Sequence, residues 1–479
     1  MFRERVPTGI DGLDMAIEGG FPRGSLILIG GNPGTGKTVF SACFTYKGAV
    51  EYGEKGVYVS FVESRETFFS IMKRFGFDFE RLEKEGKFKF LSMIPVKAKG
   101  ASAILRMILE EVDRLQAERL VIDSFSAMSQ AIREPIDIRI LLNTVLSRIV
   151  RKSGCTTLLI VEAPFGSEEV GLGIEEFVSD GVIMLKRREF EDKLLRELTI
   201  LKLRETEIAH PKLAFTLKDG FEVFPPVTLL GFGEPIARYE VIPHGENYFS
   251  SGVRDLDEIL KVMIRRSPRS YYSLLEVEKD VALPLEYPTF PVISNFLNQG
   301  HGVIIIPPQG ITAQTVKKRL EPHVSQDLIQ RNLRVVSFRV AGEAKPSEDF
   351  IIPLDGKSIT EDFVTFWRVG TELRRKTGKP LLSIVGYDTV EYIYGEKEAL
   401  KVLGEDVARV RNYGDARINI IRPTVYIADQ LRALADIHLK VEQIDGALFV
   451  HGIKPETPLL NVQLVTEKGT SKLRFVPIV

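Results

Sequence analysis

Gly31-Asn32-Pro33-Gly34-Thr35-Gly36-Lys37-Thr38 decides the fold. The stretch fits the pattern G-x-x-x-x-G-K-[ST]. A short apolar run, Ser25-Leu26-Ile27-Leu28-Ile29, leads into it, and residues 38–51 can continue from it as a helix. A strand, a glycine-rich loop and a helix in that order make a cradle for phosphate. The glycines permit positive φ and let backbone N–H groups approach phosphate oxygens. Those groups, with the positive end of the helix, are suited to a β-phosphate. Lys37 is suited to neutralise β- and γ-phosphate charge, and the Thr38 hydroxyl to bind Mg2+. Gly31, Asn32, Pro33, Gly34, Thr35, Gly36, Lys37, Thr38 and the following Val39 are therefore the candidate nucleotide contacts, with ATP and Mg2+ as the expected cofactors.

On both sides of this loop, residues 1–224 alternate between strand and helix patterns. Residues 56–61, 120–123 and 156–161 read as short buried strands, and residues 65–75, 101–115 and 136–152 as amphipathic helices. Such alternation predicts an α/β fold with a mainly parallel sheet covered on both faces. Residues 181–186, 198–203 and 213–217 then read as successive strands near a sheet edge.

Three further groups carry candidate chemistry. Asp123 closes the strand Leu120-Val121-Ile122-Asp123, at the edge of a parallel sheet where ligands bind, and suits a role in holding Mg2+. Its alternative role is a helix N-cap. Glu63 follows the strand 56–61 and points to the same edge, as a candidate general base for the water that attacks a γ-phosphate. An exposed loop glutamate, or a helix N-terminal charge before Arg65, is the alternative. Lys202 and Arg204 alternate on one strand, so both side chains share a face. Such a pair could reach a phosphate held by a neighbouring subunit, or could form a solvated strand face.

Residues 225–246 hold Pro225, Pro226, Pro235 and Pro243 and lose all periodicity, so they read as a linker between domains 1–224 and 247–479. An internal repeat follows. Thr8-Gly9-Ile10-Asp11-Gly12-Leu13-Asp14 returns as Ser251-Gly252-Val253-Arg254-Asp255-Leu256-Asp257. Ser25-Leu26-Ile27-Leu28 resembles Ser273-Leu274-Leu275-Glu276, and Lys55-Gly56-Val57 resembles His301-Gly302-Val303. Ser179-Asp180-Gly181 resembles Ala435-Asp436-Ile437. The shared order predicts a second copy of the same fold.

Composition excludes several classes. The chain of 479 residues is long enough for two or three domains. Lys and Arg number 64 against 65 Asp and Glu, a balance that does not suit a protein coating DNA through bulk charge. Only Cys43 and Cys155 are present, too few for a disulfide framework or a four-cysteine zinc site, so a reducing cytoplasm is expected. Met1-Phe2-Arg3-Glu4-Arg5 is no hydrophobic export signal, and no apolar run approaches the roughly 18 residues that span a bilayer. The abundance of Lys and Glu, with little Cys and Met, hints at a thermophile. His210, His244 and His301 lack metal spacing, and Trp367 reads as a core residue.

The N-terminal half resembles the KaiC-like branch of the RecA/RadA ATPases, of archaeal type. The likeness runs from Val6 to about Pro225. It rests on Pro7-Thr-Gly-Ile-Asp-Gly-Leu-Asp14, Gly19-Gly20-Phe21-Pro-Arg-Gly-Ser25, the phosphate loop, Phe75-Gly-Phe-Asp78, Val121-Ile-Asp-Ser-Phe125, Glu175-Glu-Phe-Val-Ser-Asp180 and Lys202-Leu-Arg204. The resemblance implies a RecA-like core, ATP binding with slow hydrolysis, and a ring, usually a hexamer, with ATP between subunits. It also implies that Lys202 and Arg204 act in trans. The family commonly has two adjacent glutamates after the second strand, and here that pair reads Val62-Glu63, which predicts weak turnover.

The second half departs further. After Ser273-Leu-Leu the chain runs Glu276-Val-Glu-Lys279-Asp-Val-Ala-Leu-Pro284, without glycine and with three acidic groups that would repel a phosphate. Gly386 falls where Asp123 would be, with Asp388 as a displaced substitute. Lys454 echoes Lys202, but Pro455 and Glu456 follow it. Residues 247–479 thus read as a degenerate RecA-like domain without a nucleotide site.

Three functions compete. The first is a slow ATPase working as an oligomeric switch. The second is a non-hydrolysing ATP-binding regulator, similar to the gas-vesicle regulatory D proteins of archaea, for which Lys186-Arg187-Arg188 and Arg265-Arg266-Ser-Pro-Arg269 supply short basic runs. The third is a RadA-like DNA-repair mediator. Glu168, Glu169, Glu175 and Glu176 oppose it, because they occupy the segment that would meet a phosphate backbone. Nucleic acid is therefore not an expected partner, and the protein partner is not named by the sequence.

Overall fold

The computed structural model of the protein describes residues 4–93, 101–130, 154–163, 179–230, 238–264, 270–279, 281, 286–338, 348–467 and 470–479. The predicted helix 136–152, the acidic segment 168–176 and the basic run 265–269 lie outside them. The chain divides into two compact units. One is Met1–Leu230 with Asp445–Ala447 and Pro477–Val479, and the other is Gly231–Ile444 with Leu448–Val476. No helix among the described residues is long and apolar enough to cross a membrane.

The first unit opens with a two-stranded ribbon, β1 (Arg5–Val6) and β2 (Phe21–Pro22). Its main sheet contains β3 (Leu26–Gly31), β4 (Gly56–Ser60), β5 (Phe88–Ser92), β6 (Arg119–Asp123), β7 (Thr156–Glu162), β8 (Gly181–Phe190), β9 (Lys193–Leu203), β10 (Lys212–Thr216) and β11 (Glu222–Phe224). Their order is β11-β10-β9-β8-β3-β7-β6-β4-β5. From β8 to β5 all pairs are parallel, and β8 to β11 form an antiparallel run at one side. Central strand β3 is buried on both faces, so alternate residues feed two cores. Ile27 and Ile29 pack with Phe40 and Phe44 of the helix Lys37–Glu51. Leu26 and Leu28 pack with Ile104, Ile108 and Val112 of the helix Ala101–Leu115.

Two local features exceed the sequence reading. A short helix, Phe79–Lys84, is capped by Asp78, whose side chain accepts from the Arg81 N–H at 3.1 Å, and β5 follows it. The β8–β9 hairpin also runs beyond the expected 181–186 and 198–203. Residues 186–190 pair with 193–197, and the ribbon closes through Glu191 and Asp192, both with positive φ, as a two-residue hairpin turn requires.

The second unit has one sheet: β12 (Arg238–Tyr239), β13 (Tyr271–Val277), β14 (Val303–Ile306), β15 (Leu333–Phe338), β16 (Ile351–Leu354), β17 (Leu382–Gly386), β18 (Ala416–Ile421), β19 (Ile437–Ile444), β20 (Ala447–Lys454), β21 (Leu460–Glu467) and β22 (Thr470–Pro477). The order is β12-β22-β21-β20-β19-β13-β18-β17-β14-β15-β16. Between β22 and β15 it repeats the first sheet strand for strand, with β16 and β12 added at the edges. The fold is therefore α/β with two tandem RecA-like sheets.

Side-chain contacts repeat as well. Asp14 accepts from the Thr8 N–H at 2.9 Å and its hydroxyl at 2.8 Å, and Asp257 accepts from the Ser251 N–H and hydroxyl, both at 2.7 Å. Gly9 and Gly252 share φ +76°. Asp180 accepts from the Leu26 N–H at 3.0 Å, and Asp436 from the Tyr272 N–H at 3.0 Å. That last pair corrects the sequence register. The counterpart of Leu26 is Tyr272, two residues before the matched Leu274. Likewise the Lys55 carbonyl accepts from Arg119 and the Gly302 carbonyl from Leu382, so Lys55 corresponds to Gly302 and not to His301. A slip of two leaves every side chain on its original face. A slip of one goes unnoticed in a strand buried on both faces, such as β14.

Candidate functional site

The loop Gly31 to Thr38 leaves β3 between β7 and β8 and enters the helix Lys37–Glu51. Gly31 has φ +155°, and a Cβ there would lie 2.4 Å from the Leu185 carbonyl oxygen, so no larger residue fits. Gly36 stands before the helix with φ +102° and provides no side-chain cap, which leaves first-turn N–H groups without side-chain acceptors. Thr35 donates to the Asn32 carbonyl at 2.8 Å, and the Asn32 amide to the Ala163 carbonyl at 3.1 Å. Arg196 reaches the Gly34 carbonyl at 3.4 Å and also donates to the Val479 carbonyl. Pro33 lies beside the β8–β9 hairpin at one wall of a cleft, and Val39 is buried in the first helical turn.

Lys37 is folded back on the loop. Its ammonium donates to the carbonyls of Gly31 at 2.7 Å and Asn32 at 2.9 Å. Burial lowers its pKa, opposed by the charges of Glu162 and Asp123. The ammonium is thus held over the cradle by two backbone acceptors, which phosphate oxygens could replace.

Facing it, Asp123 ends β6. Its Oδ2 accepts from the Thr38 hydroxyl at 3.0 Å and from the Tyr58 hydroxyl at 2.7 Å. Burial raises the Asp123 pKa, and those two bonds oppose the rise. Thr38 and Asp123 form a pair of hard oxygen donors, the chemistry that suits Mg2+. Glu63 stands after β4, in a turn fixed by the Ser60 hydroxyl, which accepts from the Glu63 N–H at 2.9 Å and the Val62 N–H at 3.3 Å. Burial, and secondarily Asp123, raises the Glu63 pKa. Its Oε2 is buried and finds no hydrogen-bond partner among the described residues. Val62, beside it, is 56% exposed.

The loop, Thr38, Asp123 and Glu63 are thus brought together, but Lys202 and Arg204 are not. Ile27, near the start of β3, pairs with Gly181, and Gly181 pairs with Leu203, whereas Gly31 pairs with Leu185. The two cations therefore lie at the opposite end of the sheet, four residues or roughly 13 Å along the strand direction from the loop. They share one location: the Lys202 ammonium donates to the Ser179 carbonyl at 2.7 Å, and Arg204 lies 3.6 Å from Asp180. The residues that the sequence did not single out are Tyr58, Ser60 and Glu162. Glu162 closes β7 at the same sheet edge and carried the same signal as Asp123.

At the matching edge of the second unit the chemistry differs. Glu276 occupies the place of Gly30. Burial would raise its pKa, but His438, at 3.0 Å, and the Arg432 guanidinium hold it down at about 2. A carboxylate held by Arg432 and His438 of its own chain thus stands where the first unit has the start of the phosphate loop. Gly386 ends β17, and a Cβ there would lie 2.5 Å from Pro308 Cα, so backbone occupies the space an aspartate would need. Asp388 accepts from the N–H groups of Gln309 at 3.1 Å and Thr389 at 2.9 Å, which ties down the loop after β14. Lys454 donates to the Arg432 carbonyl at 3.0 Å and lies 3.5 Å from the Ala435 carbonyl, the counterpart of the Lys202–Ser179 contact.

Residues 6–227 match the family model described as the KaiC ATPase. Over 233 residues the chain is 34% identical to the circadian clock oscillator protein KaiC of Synechococcus elongatus, covering 46% of this chain and 44% of that protein. The chain thus spans about half the length of such KaiC relatives. It is 30% identical to the UPF0273 protein MJ1359 of Methanocaldococcus jannaschii, over 47% of this chain and 98% of that one. Among solved structures, the KaiC-like protein PH0186 of Pyrococcus horikoshii is 42% identical, covering 47% of this chain and 100% of that chain, with a TM-score of 0.43.

Proposed function

Since the chain belongs to the KaiC-like ATPases of the RecA superfamily, we propose that it is a slow ATPase with one nucleotide site per chain, acting as an oligomeric regulatory switch. The observation that carries this reading is the cluster of Lys37, Thr38, Asp123 and Glu63 at one sheet edge, with Lys202 and Arg204 at the other. A cation pair at the far end of the sheet cannot reach the triphosphate of its own chain. It can reach that of a neighbour packed head to tail, as in a ring. A hexamer with ATP between subunits is the assembly proposed, in the cytoplasm, with an unidentified protein partner and no nucleic acid.

In this site the loop N–H groups and Lys37 bind the β- and γ-phosphates, and Thr38 and Asp123 hold the metal. Mg2+, when bound, supplies charge neutralisation of the phosphates. Glu63 accepts a proton from the attacking water, and burial, by raising its basicity, suits it to the task. Val62 stands where the family commonly has a first glutamate, so turnover is slow. The exposed Val62 also favours a second reading, a regulator that binds ATP without hydrolysis.

Glu63→Gln separates these readings. The variant should keep Mg-ATP binding and lose turnover by about 10²-fold. Turnover at the wild-type rate would remove Glu63 from the mechanism, and no turnover in the wild type would favour the second reading. The in-trans role is tested by mixing chains. Lys37→Ala and the double variant Lys202→Ala/Arg204→Ala should each be inactive alone. Exchanged into mixed oligomers, they should recover activity, because some interfaces join an intact loop to an intact cation pair. A mixture no more active than its components would contradict this.

A further inference from the structure

β4 alternates its side chains between the two cores of the first unit. Val57 and Val59 face the core beneath the helix Ala101–Leu115, and Tyr58 faces the core beneath the helix Lys37–Glu51. On the neighbouring strand, Ser60 is level with Asp123 and Tyr58 with Val121. The period of two therefore puts Tyr58 and Asp123 on the same face, one step apart along the strands. The Tyr58 ring is fully buried and fixed by Phe68, with centroids 4.5 Å apart, and by a stacked Phe90 at 5.9 Å. From that position its hydroxyl donates to Asp123 Oδ2 at 2.7 Å, and the Thr38 hydroxyl donates to the same oxygen at 3.0 Å. Oδ1 has no hydrogen-bond partner among the described residues.

We propose that Tyr58 is a positioning residue for the metal. By occupying Oδ2 from inside the core, it fixes the rotation of the Asp123 carboxylate. Oδ1 is then presented to the metal's coordination sphere, and Thr38 is aligned with its hydroxyl oxygen toward the nucleotide. Groups that orient metal-binding side chains in this way commonly set affinity by about 10- to 100-fold. The inference rests on the reading that this pocket holds a Mg-nucleotide.

Tyr58→Phe removes only the hydroxyl and keeps the ring between Phe68 and Phe90. The probe is ADP, which is not turned over, titrated calorimetrically at stepped Mg2+ concentrations and in EDTA. The variant should bind ADP as the wild type does in EDTA and should melt at a similar temperature. Its Mg2+ half-saturation for tightened ADP binding should rise about tenfold. A purely structural tyrosine would change melting and EDTA binding, and leave the Mg2+ dependence untouched. Wild-type Mg2+ dependence in Tyr58→Phe would overturn the role of Tyr58 alone. Absence of ADP binding by the wild type under every condition would overturn the nucleotide reading together with it.

Discussion

Lys37→Ala should bind Mg-ATP at least about 100-fold more weakly than the wild type, with little loss of apo stability. The ammonium makes its bonds to the Gly31 and Asn32 carbonyls, which belong to the loop itself. It ties no distant elements together, so its removal leaves the sheet and both cores intact. Its contribution appears when the acceptors are phosphate oxygens. Each charge-assisted bond then contributes about 1.5–3 kcal/mol, and two of them correspond to at least a hundredfold in affinity. The check is nucleotide titration of wild type and variant, with thermal melting of the apo proteins alongside. Loss of binding together with a collapse in melting temperature would make Lys37 a structural residue instead.

Asp406→Ala should destabilise the second unit by about 3–5 kcal/mol. Asp406 is fully buried, and it accepts from the Arg417 guanidinium and, at 3.0 Å, from the Trp367 indole N–H. Arg417 is 2% exposed and otherwise donates to the Ser383 hydroxyl at 2.6 Å. Without the carboxylate a guanidinium is left in an apolar core beside Tyr272 and Phe366, without its direct ion-pair partner and with only the charge of Asp415 to offset its own. Asp406→Asn keeps an acceptor for Trp367 and should fall between the two. Denaturant melting should show the loss as an early transition, while Mg-ATP binding, which we propose to rest on the first unit alone, should stay within a few-fold of wild type below that transition. Unchanged melting would mean the pair is solvated in solution.

The phosphate loop was legible because its residues are constrained one at a time: Gly31 by the Leu185 carbonyl, Gly36 by its backbone angle, Lys37 and Thr38 by ligand chemistry. Asp123 was legible because a parallel strand can only end at the ligand edge. Glu162 ended a strand in the same way and was passed over. Tyr58 was hidden because a tyrosine between two valines reads as ordinary core, and its partner lies 65 residues away. Spacing put Lys202 and Arg204 on one strand face, but not at one end of the sheet, since that depends on β9 running antiparallel to β8. In the second unit the missing glycines were plain. The clasp on Glu276 was not, because its partners, Arg432 and His438, come from 156 and 162 residues further along the chain.

The most direct measurement is the number of Mg-ATP molecules held per chain, by calorimetry, at the nucleotide concentration that just saturates the wild type, in the wild type and in Lys37→Ala. One molecule per wild-type chain and none in the variant is the predicted result. Two per chain, or one that survives the loss of Lys37, would contradict a single nucleotide site built on the first sheet.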